Sequence, residues 1–203
     1  EGTRLSWWDS PMINAYINHS VSGSPHRDWL DYVKGKYFPE PVALGLSVGC
    51  GHGGLDRLIL NRGLAERMDG FDISSKAVDR ARQYAKKEGL GDRLRYFVAD
   101  ANFLDRAKLH DQYDMVLAPM ALHHFVHLEK CLDNLRALLK PRGLLIANEF
   151  IGPARFQWTD TQLDFANRLL ACFPSELRHN LRSPEQPKHT VTRPSLEHMQ
   201  SHS

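Results

Sequence analysis

From Val42 to Glu149 the chain alternates short apolar runs with amphipathic stretches, and that alternation leaves few folds open. The apolar runs predict strands at Ala43 to Val48, Met68 to Phe71, Leu94 to Ala99, Tyr113 to Ala118 and Leu144 to Glu149. Helical patterns fall between them. Residues 54–61 form one, closed by Gly63. Ser74 caps another, with Ala77, Val78, Ala81, Tyr84 and Ala85 on one face and Gly89 at its end. Leu128, Cys131, Leu132, Leu135, Leu138 and Leu139 mark a third, stopped by Lys140-Pro141-Arg142-Gly143. Strands separated by helices pair in parallel through right-handed crossovers. The expected class is α/β, a doubly wound and mainly parallel sheet.

The flanks read differently. Ser10-Pro11 and Ser24-Pro25 are each an N-cap followed by a first-turn proline. Met12, Ile13, Tyr16 and Ile17 give the first of two helices its apolar stripe; Trp29, Leu30 and Val33 serve the second. Residues 1–40 are therefore expected to form a helical cap over the opening of the core. Trp7, Trp8 and Tyr16 either close over that opening or are simply buried. After Glu149 the alternation stops. Thr159 and Gln162 fit a capping box ahead of a face of Leu163, Ala166, Leu169, Leu170 and Phe173. From Pro174 onward the chain is polar, and no strand is expected. The division is thus a cap (1–40), a core (41–150), and a C-terminal helix with a polar tail (151–203).

Composition narrows the setting. Hydrophobic residues make up 42% of the 203 and charged ones 25%, as in ordinary soluble domains. No apolar run approaches the roughly 18 residues of a membrane span. Glu1 to Ser10 lack the layout of a secretory signal. Cys50, Cys131 and Cys172 are too few and too scattered for a disulfide framework, which suits reduced thiols in a cytoplasm. A net charge of +2 is too small to argue for a nucleic-acid partner by itself, and the basic residues are scattered apart from a mild cluster of Arg178, Arg182, Lys188 and Arg193.

Open α/β sheets bind ligands beyond the carboxyl ends of their strands, so the polar residues there carry the functional reading. After the first strand comes Gly49-Cys50-Gly51-His52-Gly53-Gly54. Missing side chains let a ligand approach the backbone, and the following helix supplies free N–H groups. The turn fits two templates, Gly49/Gly51/Gly53 and the dinucleotide spacing Gly49/Gly51/Gly54. Asp72 ends the second strand. It can accept both ribose hydroxyls of an adenosine, or be an ordinary acid at a helix start. Asp100 ends the third, ahead of Ala101 and Asn102. It can receive an adenine amino group, or be a turn aspartate. His123 and His124 follow the fourth strand, and Glu149 ends the fifth. A histidine titrating near neutrality can take the proton of a hydroxyl acceptor. His123 is the leading candidate base, with His124 and Glu149 as further catalytic candidates; packing, capping or an ion pair of Glu149 with Arg155 are the alternatives. His123 and His127 stand one helical turn apart, as metal ligands do, but no HExxH pattern accompanies them and no metal is expected.

The ordered stretches ALGLSVGCGHGGLDR, GFDISSKAVDRARQYA, LRYFVADANFL, YDMVLAPMALHHF and LKPRGLLIANEF together resemble the Rossmann-like methyltransferases that use S-adenosylmethionine (SAM), over about residues 40–150. WWDSPMINAYINHSVSGSPHRDWL and IGPARFQWTDTQL extend the likeness toward a bacterial subgroup. The resemblance implies SAM as cofactor and S-adenosylhomocysteine as product. It implies a binding set of Gly49, Cys50, Gly51, Gly53, Asp72, Ile73, Asp100, Ala101, Asn102 and Pro119. The glycines would follow the methionine and ribose, Asp72 would hold the ribose hydroxyls, and Asp100 would meet the adenine amino group beside Ala101 and Asn102. Ala118-Pro119-Met120 would pass the sulfonium. Many relatives carry Asp or Asn before Pro-Pro-aromatic there; Ala-Pro-Met-Ala-Leu-His-His instead resembles the members acting on small molecules. The implied reaction is methylation of a small organic or saccharide-like acceptor at oxygen. Arg155, Phe156, Gln157 and Trp158 would wall the acceptor pocket or pack a helix start.

The family's sheet usually continues with two further strands, absent from this pattern. A truncated chain, an edge completed by a second copy in a homodimer, and strands hidden in the polar tail are the open explanations. Two other functions stay open as well: a catalytically silent SAM-binding or partner-binding protein, and an NAD-dependent oxidoreductase allowed by Gly49, Gly51 and Gly54.

Overall fold

The computed structural model describes residues 10–104, 109, 112–149, 158–180 and 183–195. The chain divides into two compact units, Glu1–Glu149 and Phe150–Ser203. In the first, β1 (Val42–Val48), β2 (Ala65–Asp72), β3 (Leu94–Val98), β4 (Tyr113–Pro119) and β5 (Leu139–Asn148) form one sheet of order β3-β2-β1-β4-β5. Every pairing is parallel. Helices α3 (Gly54–Asn61), α4 (Ser75–Lys87) and α5 (Leu128–Ala137) lie between the strands in sequence. The winding reverses between β1 and β4, where the two halves diverge and a crevice opens above the strand tips.

Two apolar layers sandwich the sheet, as a parallel sheet requires. Ile59, Leu64, Met68, Val78, Ala81, Tyr96 and Met115 fill the layer under α3 and α4. Leu46, Val48, Phe71, Tyr113, Val116, Cys131 and Leu135 fill the layer under α5. Local chemistry sets the helix ends. Ser74 accepts from the Ala77 amide at the start of α4, and Gly89 turns the chain at φ +70° after its end. Val78, Ala81 and Ala85 of the predicted face are buried. Tyr84 stays half exposed, with the Arg57 guanidinium 5.1 Å from its ring centre.

Several elements differ from the sequence expectation. β2 starts three residues earlier than predicted, because Ala65 already pairs with Val42. β5 starts at Leu139, opposite Tyr113, and the ladder then resumes at Leu144 opposite Met115. Residues 140–143 bulge out of the strand, with Arg142 at φ +69° and Lys140 Nζ 2.8 Å from Asp114. A side chain at Gly143 would press on the Tyr113 and Lys140 carbonyls at 3.0 and 3.1 Å, so the bulge needs glycine there.

The helical cap is the larger correction. α2 (Trp29–Tyr37) buries Leu30 and Val33 in the layer under α3. Asp28 and Asp31 bind Arg62, the C-cap of α3, at 2.6 and 3.0 Å. Since α3 starts at the strand tips, its C-cap lies at the opposite end of the sheet, and α2 is anchored there instead of over the opening. α1 (Pro11–Ser22) buries no residue, and Met12 and Tyr16 of its predicted stripe are 83% and 75% exposed. Trp7 and Trp8 lie outside the described residues.

In the second unit α6 (Asp160–Cys172) carries the expected Thr159–Gln162 capping box. None of its residues is buried. Asn167 ties it to the Val191 amide and carbonyl at 2.7 and 3.0 Å. The expectation of no strand after Pro174 is corrected: β6 (His179–Asn180) and β7 (Ser183–Pro187) form an antiparallel pair. A two-residue strand and a Ser-Pro-Glu-Gln-Pro strand have no apolar alternation for a periodicity reading to detect. This pair is its own sheet and adds nothing to the five-stranded one. Among the described residues, no helix is long and apolar enough to cross a membrane.

Candidate cofactor site

The site is built from the segments just beyond β1, β2, β3 and β4. After Val48 the backbone enters three left-handed positions, Gly49, Gly51 and Gly53, at φ +66°, +53° and +69°. Cys50 N donates to the Phe71 carbonyl at 2.9 Å, folding the turn back over β2. A Cβ on Gly49 would stand 2.8 Å from the Ala121 Cβ, while one on Gly51 would meet nothing within 4 Å. Gly51 thus leaves open space, and Gly49 lets the turns after β1 and β4 close on each other.

Asp72 tethers this turn. Its Oδ2 accepts from Gly51 N at 2.9 Å and its Oδ1 from Ser74 N at 2.8 Å. The same carboxylate therefore opens α4 and holds the glycine turn, and each oxygen keeps accepting capacity for a further donor. Asp100 Oδ1 accepts from Asn102 N and Nδ2 at 2.8 and 2.9 Å, starting a 3-10 turn over Ala101–Phe103. Asn102 Oδ1 in turn accepts from Val126 N and His127 N at 3.0 and 3.2 Å, joining the segments after β3 and β4.

Beyond β4, Met120 sits at φ +51°, a strained value for a side-chain-bearing residue, and its amide donates to the Asn148 carbonyl at 2.8 Å. Glu149 secures the next three residues. Its Oε1 accepts from Ala121 N and Leu122 N at 2.5 and 2.7 Å, and its Oε2 lies 2.8 Å from His123 Nδ1. The His123 and His124 rings are 4.0 Å apart, centre to centre. His127 instead packs its ring edge-on against Phe103, so the histidines diverge. Among the described residues no cluster of His, Cys, Asp and Glu is placed to hold a metal ion.

Gly49, Asp72, Ile73, Asp100, Ala101 and Asn102 share the wall of one cavity of about 400 Å³. Phe71, Ala99, Met120, Ala121, His124 and Phe125 complete it. That volume lies within the roughly 300–1,000 Å³ of small-molecule sites. Cys50, Gly51, Gly53 and Pro119 shape the segments behind the wall without forming it. His124 faces the cavity and His123 does not. Arg155, Phe156 and Gln157 lie outside the described residues. The donor set suits an adenosyl sulfonium. Two carboxylates can accept from a ribose diol and an exocyclic amine, and Ile73, 70% exposed, offers an apolar face to a base.

Asp56, the third residue of α3, went unread in the sequence although it is 1% exposed. The signal was there: Asp56 shares the inward i, i+3, i+4 positions with Ile59 and Leu60. Burial pushes its carboxyl up to about 6, against the smaller opposing influence of the Ser47 and Tyr96 hydroxyls and Arg57. Burial also raises the Cys50 thiol, reinforced by Asp56 and Asp72, so that thiol stays protonated and is a poor nucleophile.

Gly49→Ala tests the closeness of the two turns. Its Cβ would strike Ala121 at a left-handed φ, so the variant is expected to lose about 1–3 kcal/mol in urea denaturation. A change under about 0.5 kcal/mol would show that the turns have room to separate.

A family described as "Methyltransferase domain" matches residues 46–145. A hybrid PKS-NRPS synthetase of Emericella nidulans is 34% identical over 142 residues, 68% of this chain and 3% of the synthetase. Demethylmenaquinone methyltransferase of Bacteroides fragilis is 26% identical over 144 residues, 69% of this chain and 56% of that enzyme. Among solved structures, the PH0226 protein from Pyrococcus horikoshii OT3 aligns with a TM-score of 0.50 and 29% identity, covering 58% of this chain and 53% of its own. The chain therefore spans about half of the menaquinone relative and a small fraction of the synthetase.

Proposed function

We propose that residues 46–145, which match a methyltransferase domain, are a Rossmann-like SAM-dependent methyltransferase core, and that the protein moves the methyl group of SAM to a small organic acceptor, at a hydroxyl oxygen. The observation that carries this reading is the convergence of Asp72 and Asp100 on one cavity behind a side-chain-free turn. SAM, when bound, supplies an electrophilic methyl group and a neutral thioether leaving group. Asp72 accepts from the ribose hydroxyls and Asp100 from the adenine amino group. Ile73 and Phe125 exclude water from the base. Catalysis of this displacement is mostly alignment of acceptor, methyl and sulfur in a dry site.

A hydroxyl acceptor also needs a proton acceptor, and the His123–His124 pair fills that role. His124 lies on the cavity wall. His123 lies off that wall: Glu149 Oε2 fixes its Nδ1, and its ring, 4.0 Å from that of His124, backs the histidine that meets the acceptor. Glu149 is on this reading a positioning residue: its oxygens already hold the turn and His123. A second reading, methylation at carbon, is favoured by the likeness to a ubiquinone/menaquinone biosynthesis C-methyltransferase of Cereibacter sphaeroides and uses the same base.

Incubation with methyl-labelled SAM and a metabolite extract tests the proposal. Labelled product with matching S-adenosylhomocysteine is expected. Tight SAM binding without transfer would favour a silent binding protein. Thermal stabilisation by NAD but not by SAM would replace the assignment with an oxidoreductase.

A further inference from the structure

Ser47 of β1, Gly70 of β2 and Tyr96 of β3 are lateral neighbours across the sheet. Gly70 has no side chain, and the space above it is filled by the Tyr96 ring and the Asp56 carboxyl. A Cβ there would lie 2.7 Å from the ring and 3.1 Å from Asp56 Oδ2. Asp56 Oδ1, Asp56 Oδ2 and Ser47 Oγ are all buried and have no hydrogen-bond partner among the described residues. Tyr96 OH donates to the Gly53 carbonyl at 3.4 Å, so this polar pocket abuts the glycine turn.

Among the described residues no cation hydrogen-bonds or ion-pairs with the carboxyl, and Arg57 acts on it only at a distance. Arg57, the next residue, commits its guanidinium outward, to Glu88 at 2.8 Å and the His52 carbonyl at 2.7 Å. Arg82 of α4 binds the Tyr96 carbonyl at 2.7 Å. The remaining groups around the carboxyl are the Ser47 hydroxyl from β1, the Cys50 thiol from the turn and the Tyr96 hydroxyl from β3, with Asp72 at the tip of β2. Tyr96, packed against the carboxyl, reaches the Gly53 carbonyl, and Gly49 of the same turn lines the cavity, so Asp56 stands behind the turn that borders it. A carboxylate so buried is costly unless something positive comes near it.

We propose that Asp56 is a specificity-determining residue: its buried, unpaired charge behind the glycine turn favours cationic SAM over the neutral product S-adenosylhomocysteine. This rests on the methyltransferase reading. The two ligands share adenosine and the amino-acid end and differ in the sulfonium methyl. In a poorly screened interior that one charge is felt through the turn. Methyl transfer neutralises the sulfur, the attraction ends, and the product is released more readily than the substrate. Binding and protonation are linked: SAM favours the ionised carboxyl and expels its proton, whereas S-adenosylhomocysteine does not.

Calorimetric titration of the full chain with each ligand from pH 5 to about pH 7 tests this. Burial makes Asp56 ionise near pH 6, so the preference is absent while it is protonated and present once pH has risen through that value. The ratio of the two dissociation constants, product over SAM, should rise by about three- to ten-fold across the range. The sulfonium acidifies the SAM amino group relative to that of the product, so the ratio is compared between pH 5 and about pH 7, where both stay protonated. Asp56→Asn should flatten the ratio at its pH 5 value. Tyr96→Phe removes a hydroxyl that favours ionisation, and should move the midpoint to higher pH; it also serves if Asp56→Asn does not fold. Binding of both ligands with a flat wild-type ratio overturns this inference alone, as does a pH rise surviving in Asp56→Asn, which would assign it to His52, His124 or Asp72. Binding of neither ligand overturns the methyltransferase reading and this one together.

Discussion

Asp72→Ala is expected to weaken SAM binding by about 100-fold or more, read by calorimetry. The carboxylate holds Gly51 N and Ser74 N with two charge-assisted hydrogen bonds, each worth about 1.5–3 kcal/mol. Removing it frees the glycine turn, uncaps the approach to α4 and deletes the proposed acceptor for the ribose hydroxyls. Asp72→Asn keeps the shape and one accepting oxygen, so about a ten-fold loss is expected of it. The gap between the two variants separates the charge from the tether. Alanine binding within about three-fold of wild type would show that the nucleoside is held without this residue.

Glu149→Ala is expected to lower the turnover number by about 100-fold or more, with a smaller effect on SAM affinity. Three groups lose their partner at once: the amides of Ala121 and Leu122, and the His123 ring. Met120 just before them is held at a left-handed φ that the surroundings must enforce, so the segment relaxes when its anchor goes. Glu149→Gln can still accept from the two amides but no longer offers a charge to His123. It should recover the stability lost in the alanine variant, by about 1–3 kcal/mol, and only part of the rate. The limb of the pH–rate profile that reports the base should move with it. Unchanged turnover in Glu149→Ala would place the proton acceptor elsewhere.

Features encoded within a few residues were legible before the structure. Ser74 and Gly89 bracket α4 because a hydroxyl cap and a left-handed stop are local events. The central strands β1 and β4 were legible because both faces are covered and their side chains are mostly apolar, whereas the charged Glu66 and Arg67 hid the start of β2. What escaped depends on residues distant in sequence. The stripe of α1 looked like a buried face, but burial needs an apolar partner, and none of its residues joins either core layer. Asp56 reads as surface charge in a helix; its spacing to Ile59 and Leu60 points it inward, but the room for a buried carboxyl comes from Gly70 on another strand. His123 and His124 are adjacent in sequence, yet one reaches Glu149 and the other the cavity. That choice follows from the backbone at Met120 and from an acid 26 residues away from His123.

The amide of Asn102 is bonded at both ends, to Asp100 on one side and to the backbone of residues 126 and 127 on the other. One side chain thus bolts together the two lips of the crevice, which rise from different strands. Their spacing is therefore set by the protein's own hydrogen bonds. Little chain entropy is then left to lose when a ligand enters the cavity they border.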